Sequence, residues 1–180
     1  MTLGRKISIG IIGIIAIPLI VALFLPTHYQ VERTIDINKP ASDVFDYIRM
    51  LKNQDYYSVW AKKDPGMKKI YTGQDGMVGF ISRWESLDKE VGTGEQEIKM
   101  INLDALEMET ELRFIEPMEA TERSYMKVSS LDQKKSKVIW GFDGSVPYPS
   151  NIICLFMDFQ ELIGKDFEEG LSNLKVVLEK

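Results

Sequence analysis

The chain has 180 residues, long enough for one domain with a real hydrophobic core. Its formal charge is −5, and because residues 1–26 hold only Arg5 and Lys6, the remainder stands at 20 minus 27, or −7. That balance argues against nucleic acid as a partner and against electrostatic adhesion to anionic lipid, while a single cysteine (Cys154) and a single histidine (His28) exclude internal disulfides, Ser–His or Cys–His pairs and His-based metal sites in the folded part.

Ile7 to Leu25 is a run of nineteen residues without a charge. That is close to the roughly 20 residues needed to cross a bilayer as a helix. Arg5 and Lys6 precede it, and the balanced pair Glu32 and Arg33 follows. The positive-inside rule then puts the N-terminus in the cytoplasm and the rest on the extracytoplasmic side of the cytoplasmic membrane. The competing reading is a cleaved signal peptide, whose apolar core is about 7–15 residues and ends at small residues. The longer run, ending Val21-Ala22-Leu23-Phe24-Leu25-Pro26, favours an uncleaved anchor over 1–26 and a domain over 27–180.

Tyr29 to Ile37 alternates Val31, Arg33, Ile35 and Ile37 against Glu32, Thr34 and Asp36, the pattern of a strand with one buried face. Asn38-Lys39-Pro40 breaks it, and Pro40 suits the first turn of a helix. Val44, Phe45, Ile48 and Leu51 give that helix its apolar stripe, to about Met50. Lys52 to Trp60 predicts a further helical turn or two. Asp64-Pro65-Gly66 is a turn signal. Strands are predicted over Met67–Tyr71, Gly76–Glu85 and Glu95–Ile101. The clearest period-two signal is Leu106, Met108, Thr110, Leu112 and Phe114 alternating with Glu107, Glu109, Glu111 and Arg113. Two more strands follow, Ala120–Leu131 and Lys137–Val146, and Pro147 and Pro149 end the second.

The tail, Asn151 to Lys180, spaces Ile152, Phe156, Phe159, Ile163, Phe167, Leu174 and Val177 by three and four, with Leu155, Leu162, Leu171 and Leu178 widening the stripe. This predicts an amphipathic helix capped by Ser150 or Asn151. At about 1.5 Å per residue, 30 residues outrun a small domain, so a break is predicted between Phe156 and Gly164. Short turns between the strands imply an antiparallel meander, and the tail helix would lie on its concave side.

The order β-α-α-β6-α resembles the helix-grip fold of the SRPBCC superfamily of START-type lipid carriers, pollen-allergen-like proteins and polyketide cyclases. The nearest resemblance is to polyketide cyclase/dehydrase and lipid-transport-like proteins with an N-terminal anchor. It is carried by Val59-Trp60-Ala61-Lys62-Lys63-Asp64-Pro65, Gly76-Met77-Val78-Gly79, Arg83-Trp84-Glu85, Gly92-Thr93-Gly94, Phe114-Ile115-Glu116-Pro117 and Gly164 to Leu171. None of these is a catalytic signature. The resemblance implies an α+β architecture, a curved antiparallel sheet wrapped on a long C-terminal helix, with a cavity between them for a hydrophobic ligand.

Ligand pockets are mostly apolar and aromatic. The expected lining is Trp60, Phe80, Trp84, Met108, Phe114, Met126, Trp140, Phe142, Phe156 and Phe159; the same residues would equally build a solid core. Gly164 and Gly170 cost about 1 kcal/mol each inside a helix. Gly170 lies on the apolar stripe, where close packing or room for a ligand would explain it. Glu107, Glu109 and Glu111 share a polar strand face and read as solvated, not metal-binding. Gly92-Thr93-Gly94 is too short for a phosphate loop. The favoured reading is a membrane-anchored, non-enzymatic module binding a hydrophobic small molecule or lipid, with no cofactor, metal or catalytic residue. The alternatives are a cyclase- or hydratase-type enzyme using Tyr56, Tyr57, Asp64 and Arg83, and an interaction domain with a filled core.

Overall fold

A computed structural model describes residues 4, 14 and 16–180. Of the expected anchor, Ile7–Leu25, residues 7–13 and 15 lie outside them. Residues 16–22 are helical, and among the described residues no helix is long and apolar enough to cross a membrane.

Strand β1 (His28–Ile37) is followed by helix α1 (Ala41–Ile48), a 3-10 turn (Leu51–Asn53) and two short helices, α2 (Gln54–Tyr57) and α3 (Val59–Lys63). The strands β2 (Lys68–Thr72), β3 (Ile81–Glu85), β4 (Thr93–Asn102), β5 (Glu107–Glu116), β6 (Ala120–Asp132) and β7 (Lys135–Ser145) come next. A 3-10 segment (Ser150–Leu155) leads to the terminal helix α4 (Phe159–Leu178). The described strands form one antiparallel sheet in the order β1-β7-β6-β5-β4-β3-β2. This is the expected α+β helix-grip arrangement, a meander closed on its first strand. Gly76–Glu85 is a correction. The chain turns through 73–80 and becomes a strand only at Ile81.

Alternation sorts the sheet cleanly. Val31, Ile37, Ile98, Met108, Met126, Val128, Val138 and Trp140 are buried on the inner face with Val44, Phe45, Ile48 and Leu51 of the α1 region. The outer face is charged. Arg113 donates to Glu95 (2.7 Å), Glu97 (2.8 Å) and Glu111, and Arg123 donates to Glu109 and Asp143. Lys127 lies 3.8 Å from Glu107. All three glutamates of the polar row are thus met by cations, and the hydrogen bonds from Arg113 and Arg123 hold the Glu97 and Glu109 carboxyls below their usual range.

Helix α4 runs along β1. Phe159 stacks on Tyr29 near the start of the strand, and Lys175 Nζ donates to the Asp36 carbonyl near its end (2.7 Å). Twenty helical residues at about 1.5 Å match ten strand residues at about 3.3 Å, so the two elements are equal in length. Two glycines let them approach. Gly170 sits against the Trp140 ring, and Gly164 is covered by the Arg33 guanidinium, which points inward from this edge strand and pairs with Glu168 at 2.5 Å. The packing reading of Gly170 is the one the structure supports.

The predicted break falls at Phe156–Asp158. The expected cap is corrected: Asp158, not Ser150 or Asn151, accepts from the Glu161 amide (3.0 Å) to start α4. Asn151 is buried instead, and its amide donates to the carbonyls of Ala22 (2.8 Å) and Leu25 (3.1 Å). Leu155, Phe156 and Leu162 leave the apolar stripe and face solvent.

Three strand glycines lie beneath rings from the facing strand. Tyr29 covers Gly144, Trp84 covers Gly94 and Tyr125 covers Gly141, each at its registered partner. No Cβ fits under any of the three. Gly92 meets the Glu116 carbonyl instead and turns with φ 64, a conformation costly for other residues.

Candidate ligand site at the open end of the sheet

The ten expected lining residues fall into three groups. Phe80, Met108, Met126 and Trp140 belong to the closed core. Trp140 stacks on Phe167 of α4 at 4.5 Å, and Tyr57 meets Trp140 edge-on at 5.8 Å and donates to the Met126 sulfur. These residues pack against one another between helix and sheet. Phe156 is 82% exposed and faces away from the interior. Of the remaining five, Phe142 also belongs to the core and Trp60 packs edge-on against Trp140 (6.3 Å) and Phe167 (6.1 Å), whereas Trp84, Phe114 and Phe159 lie toward the end of the sheet where β1 begins. Phe142 is buried and the other four are half-buried.

The register explains the difference. The principal helix contacts are with β1, β6 and β7: α4 lies on β1, and α1 on β6 and β7. The inner face of β3–β5 extends beyond them at one end. Trp84 pairs with Gly94, Gly94 with Phe114, Leu112 with Glu122, and Gly144 with Tyr29. These positions form one band across the sheet, two adjacent rows deep, at the end where β1 begins. Along it Trp84 and Phe114 meet edge-on at 6.2 Å. Tyr29 lies 6.1 Å from Phe142 and stacks on Phe159 at 5.2 Å. The glycines of the band keep its floor low, so the rings lie across it instead of standing on tall neighbours.

Behind the band the inner face turns polar and buried. Gln96 donates to Thr110 (2.9 Å), Thr110 to the Ser124 carbonyl (3.4 Å) and Ser124 to the Gly141 carbonyl (3.0 Å). Their partners are internal, so this chain closes the bottom of the aperture. Trp84 is itself fixed by donating to the Val91 carbonyl (3.3 Å). Glu122 accepts from the Ser145 amide (3.0 Å) and hydroxyl (2.8 Å). The Tyr29 phenol is pushed up to about 12, first by burial, then by Glu122 and Cys154. It stays protonated at neutral pH and is available as a hydrogen-bond donor.

Tyr29, Leu112 and Glu122 were not among the expected lining residues. Tyr29 carried a signal, since it shares the alternation of Val31 and Arg33. Glu122 carried none. An open concavity of about 550 Å³ at this end includes Tyr29, Glu122 and Gly144, together with outer-face residues such as His28, Arg123 and Asp143.

The four residues of the enzyme alternative do not converge. Tyr56 is exposed, whereas Tyr57 is wholly buried and its phenol is raised by that burial. Asp64 accepts from Gly66 (3.1 Å) and Ser86 (2.6 Å) in its turn. Arg83 lies on the outer face and donates to Glu85 (3.0 Å). Among the described residues no group of His, Cys, Asp and Glu is placed to hold a metal ion.

No family model matches the chain, and no curated protein matches it. Solved structures do. Truncated norcoclaurine synthase from Thalictrum flavum matches with TM-score 0.59 and 13% identity, over 85% of this chain and 95% of that one. An uncharacterised Bacillus thuringiensis protein gives 0.58 and 12%, over 84% and 100%. Ara h 8.0201, a helix-grip protein of the SRPBCC superfamily, gives 0.56 and 13%, over 85% and 99%. At such identities the likeness establishes the fold and nothing finer.

Proposed function

We propose that this chain is a membrane-tethered module that binds a hydrophobic or lipid-like small molecule at the open end of its sheet. The observation that carries this is the set of half-buried rings at one end of the inner face, Trp84 and Phe114 meeting edge-on on the strands and Tyr29 stacked under Phe159 of α4. Rings with an open face and a polar group at the margin are how small-molecule sites are commonly made. The helix-grip fold of Ara h 8.0201 and norcoclaurine synthase is a ligand-binding type, which supports the same reading. The tether rests on the uncharged run Ile7–Leu25 and on Arg5 and Lys6 before it, which would place the domain on the extracytoplasmic side.

The test is titration of the full chain with an anilinonaphthalene probe, together with native mass spectrometry of protein purified from its own host. Trp84→Ala and Phe114→Ala should each weaken the probe about tenfold, the effect of losing roughly 1.4 kcal/mol of ring contact. Phe156→Ala should leave its affinity unchanged. Equal binding by all three variants would place the ligand elsewhere.

A further inference from the structure

Antiparallel register decides which loops share an end of the sheet. β1 begins at His28 opposite Ser145, the last residue of β7, and β4 begins at Thr93 opposite both Glu85 and Glu116. Loops 86–92, 117–119 and 146–158 therefore gather around the aperture, and the chain enters the domain there through 23–27. These loops expose Leu87 at 101% and Met118 at 77%, alongside Phe156. Ile153, Leu155 and Met157 are exposed beside them, and so are Leu23 and Phe24 of the entering segment. Exposed apolar groups clustered in this way mark a contact surface.

What covers the surface follows from how it is fastened. The buried Asn151 amide ties the 3-10 segment to the Ala22 and Leu25 carbonyls, and the Val146 amide donates to the Thr27 carbonyl (2.8 Å). The apolar loops and the end of the apolar run are thus one unit. Whatever phase receives Ile7–Leu25 must border the rim. We infer that the rim of Leu87, Met118, Ile153, Leu155, Phe156 and Met157 beds into the bilayer that holds the N-terminal run, so that the aperture opens onto lipid. The inference rests on the tether proposed above. Asp88, Glu90, Glu119 and Asp158 outnumber Lys89 on the same loops. The contact is therefore by insertion of apolar groups, not by attraction to anionic headgroups. It follows that a hydrophobic ligand can pass between bilayer and aperture without crossing water. The opposite end of the sheet also exposes Leu103 and Val78, but no apolar run is fastened to it.

The experiment uses the full chain with Cys154→Ser and one new cysteine, from Met118→Cys, Phe156→Cys or Leu103→Cys, carrying a bimane label. Each is reconstituted into vesicles of three parts phosphatidylcholine to one part phosphatidylglycerol, with and without nitroxide-bearing acyl chains. Co-flotation with the vesicles reports the tether independently. The expected result is co-flotation with at least twofold quenching at 118 and 156 and none at 103, unchanged in high salt. Co-flotation with full emission at 118 and 156 overturns the inference and leaves the tether standing, and a protein partner would then be the occupant. Equal quenching at 103 overturns it as well, because the domain would have no fixed orientation. Failure to co-float removes the tether and the inference together.

Discussion

Tyr29 combines three roles in one side chain: it stacks on the terminal helix, covers a glycine, and sets a phenol beside Glu122. Its phenol and that of Tyr125 are both pushed up to about 12, each chiefly by burial, Tyr125 also by its hydrogen bond to Glu32. A phenol is neutral when protonated, so both are harder to ionise in the folded chain than in the unfolded one. The contribution is fully present below the ordinary value of 10.0 and is lost as pH rises toward about 12. Urea midpoints should therefore fall across that window, and Tyr29→Phe and Tyr125→Phe should each flatten the decline. A flat pH profile for the parent chain would contradict the assignment, and tyrosinate absorbance checks it independently.

The terminal helix shows how neighbouring atoms outweigh propensity. Alanine in place of glycine favours a helix by about 1 kcal/mol. Gly170→Ala should nonetheless destabilise, by roughly 1–3 kcal/mol, because its Cβ would lie 2.8 Å from a Trp140 ring already stacked on Phe167. Gly164→Ala meets only the movable end of Arg33 and should be close to neutral. Thermal denaturation of the two variants separates the cases, and equal shifts would show that Trp140 yields as readily as Arg33. Much of this element was legible in the sequence. The three- and four-residue steps marked Phe167, Leu171 and Leu174 as buried, and the length argument required the break. The step pattern could not show that the helix proper begins only at Phe159, so Leu155 and Phe156 were counted into a stripe they do not join. The strands behaved similarly. Alternation identified the face carrying Met108, Phe114, Met126 and Trp140, yet Met108 is sealed and Phe114 is half-open on the same strand. What separates them is how far the helices extend over the sheet, which depends on contacts with β1, β6 and β7 and leaves no mark in the local pattern.

For the whole molecule, the fastening at Asn151 matters most. Asn151→Ala would leave the Ala22 and Leu25 carbonyls without that donor, a loss on the order of 1–3 kcal/mol when the groups are buried. Amide exchange should accelerate over 22–27 and 150–157, while β5–β7 keep their protection. Acceleration spread evenly over the sheet would mean that the segment is part of the cooperative core instead of a joint on it. The joint and the aperture share one end of the sheet, and a binding site there inherits its orientation from the chain's entry.

The ring-covered glycines carry a consequence for how this sheet can change over time. At Tyr29–Gly144, Trp84–Gly94 and Tyr125–Gly141, two strands hold a single side chain between them. Enlarging the glycine expels the ring, and trimming the ring bares the glycine backbone. Neither member can drift alone, so each pair passes through mutation as one letter written across two strands. Two of these letters are written in the aperture band itself, so a large residue at position 94 or 144 would have to fill the floor and displace the ring above it in the same step.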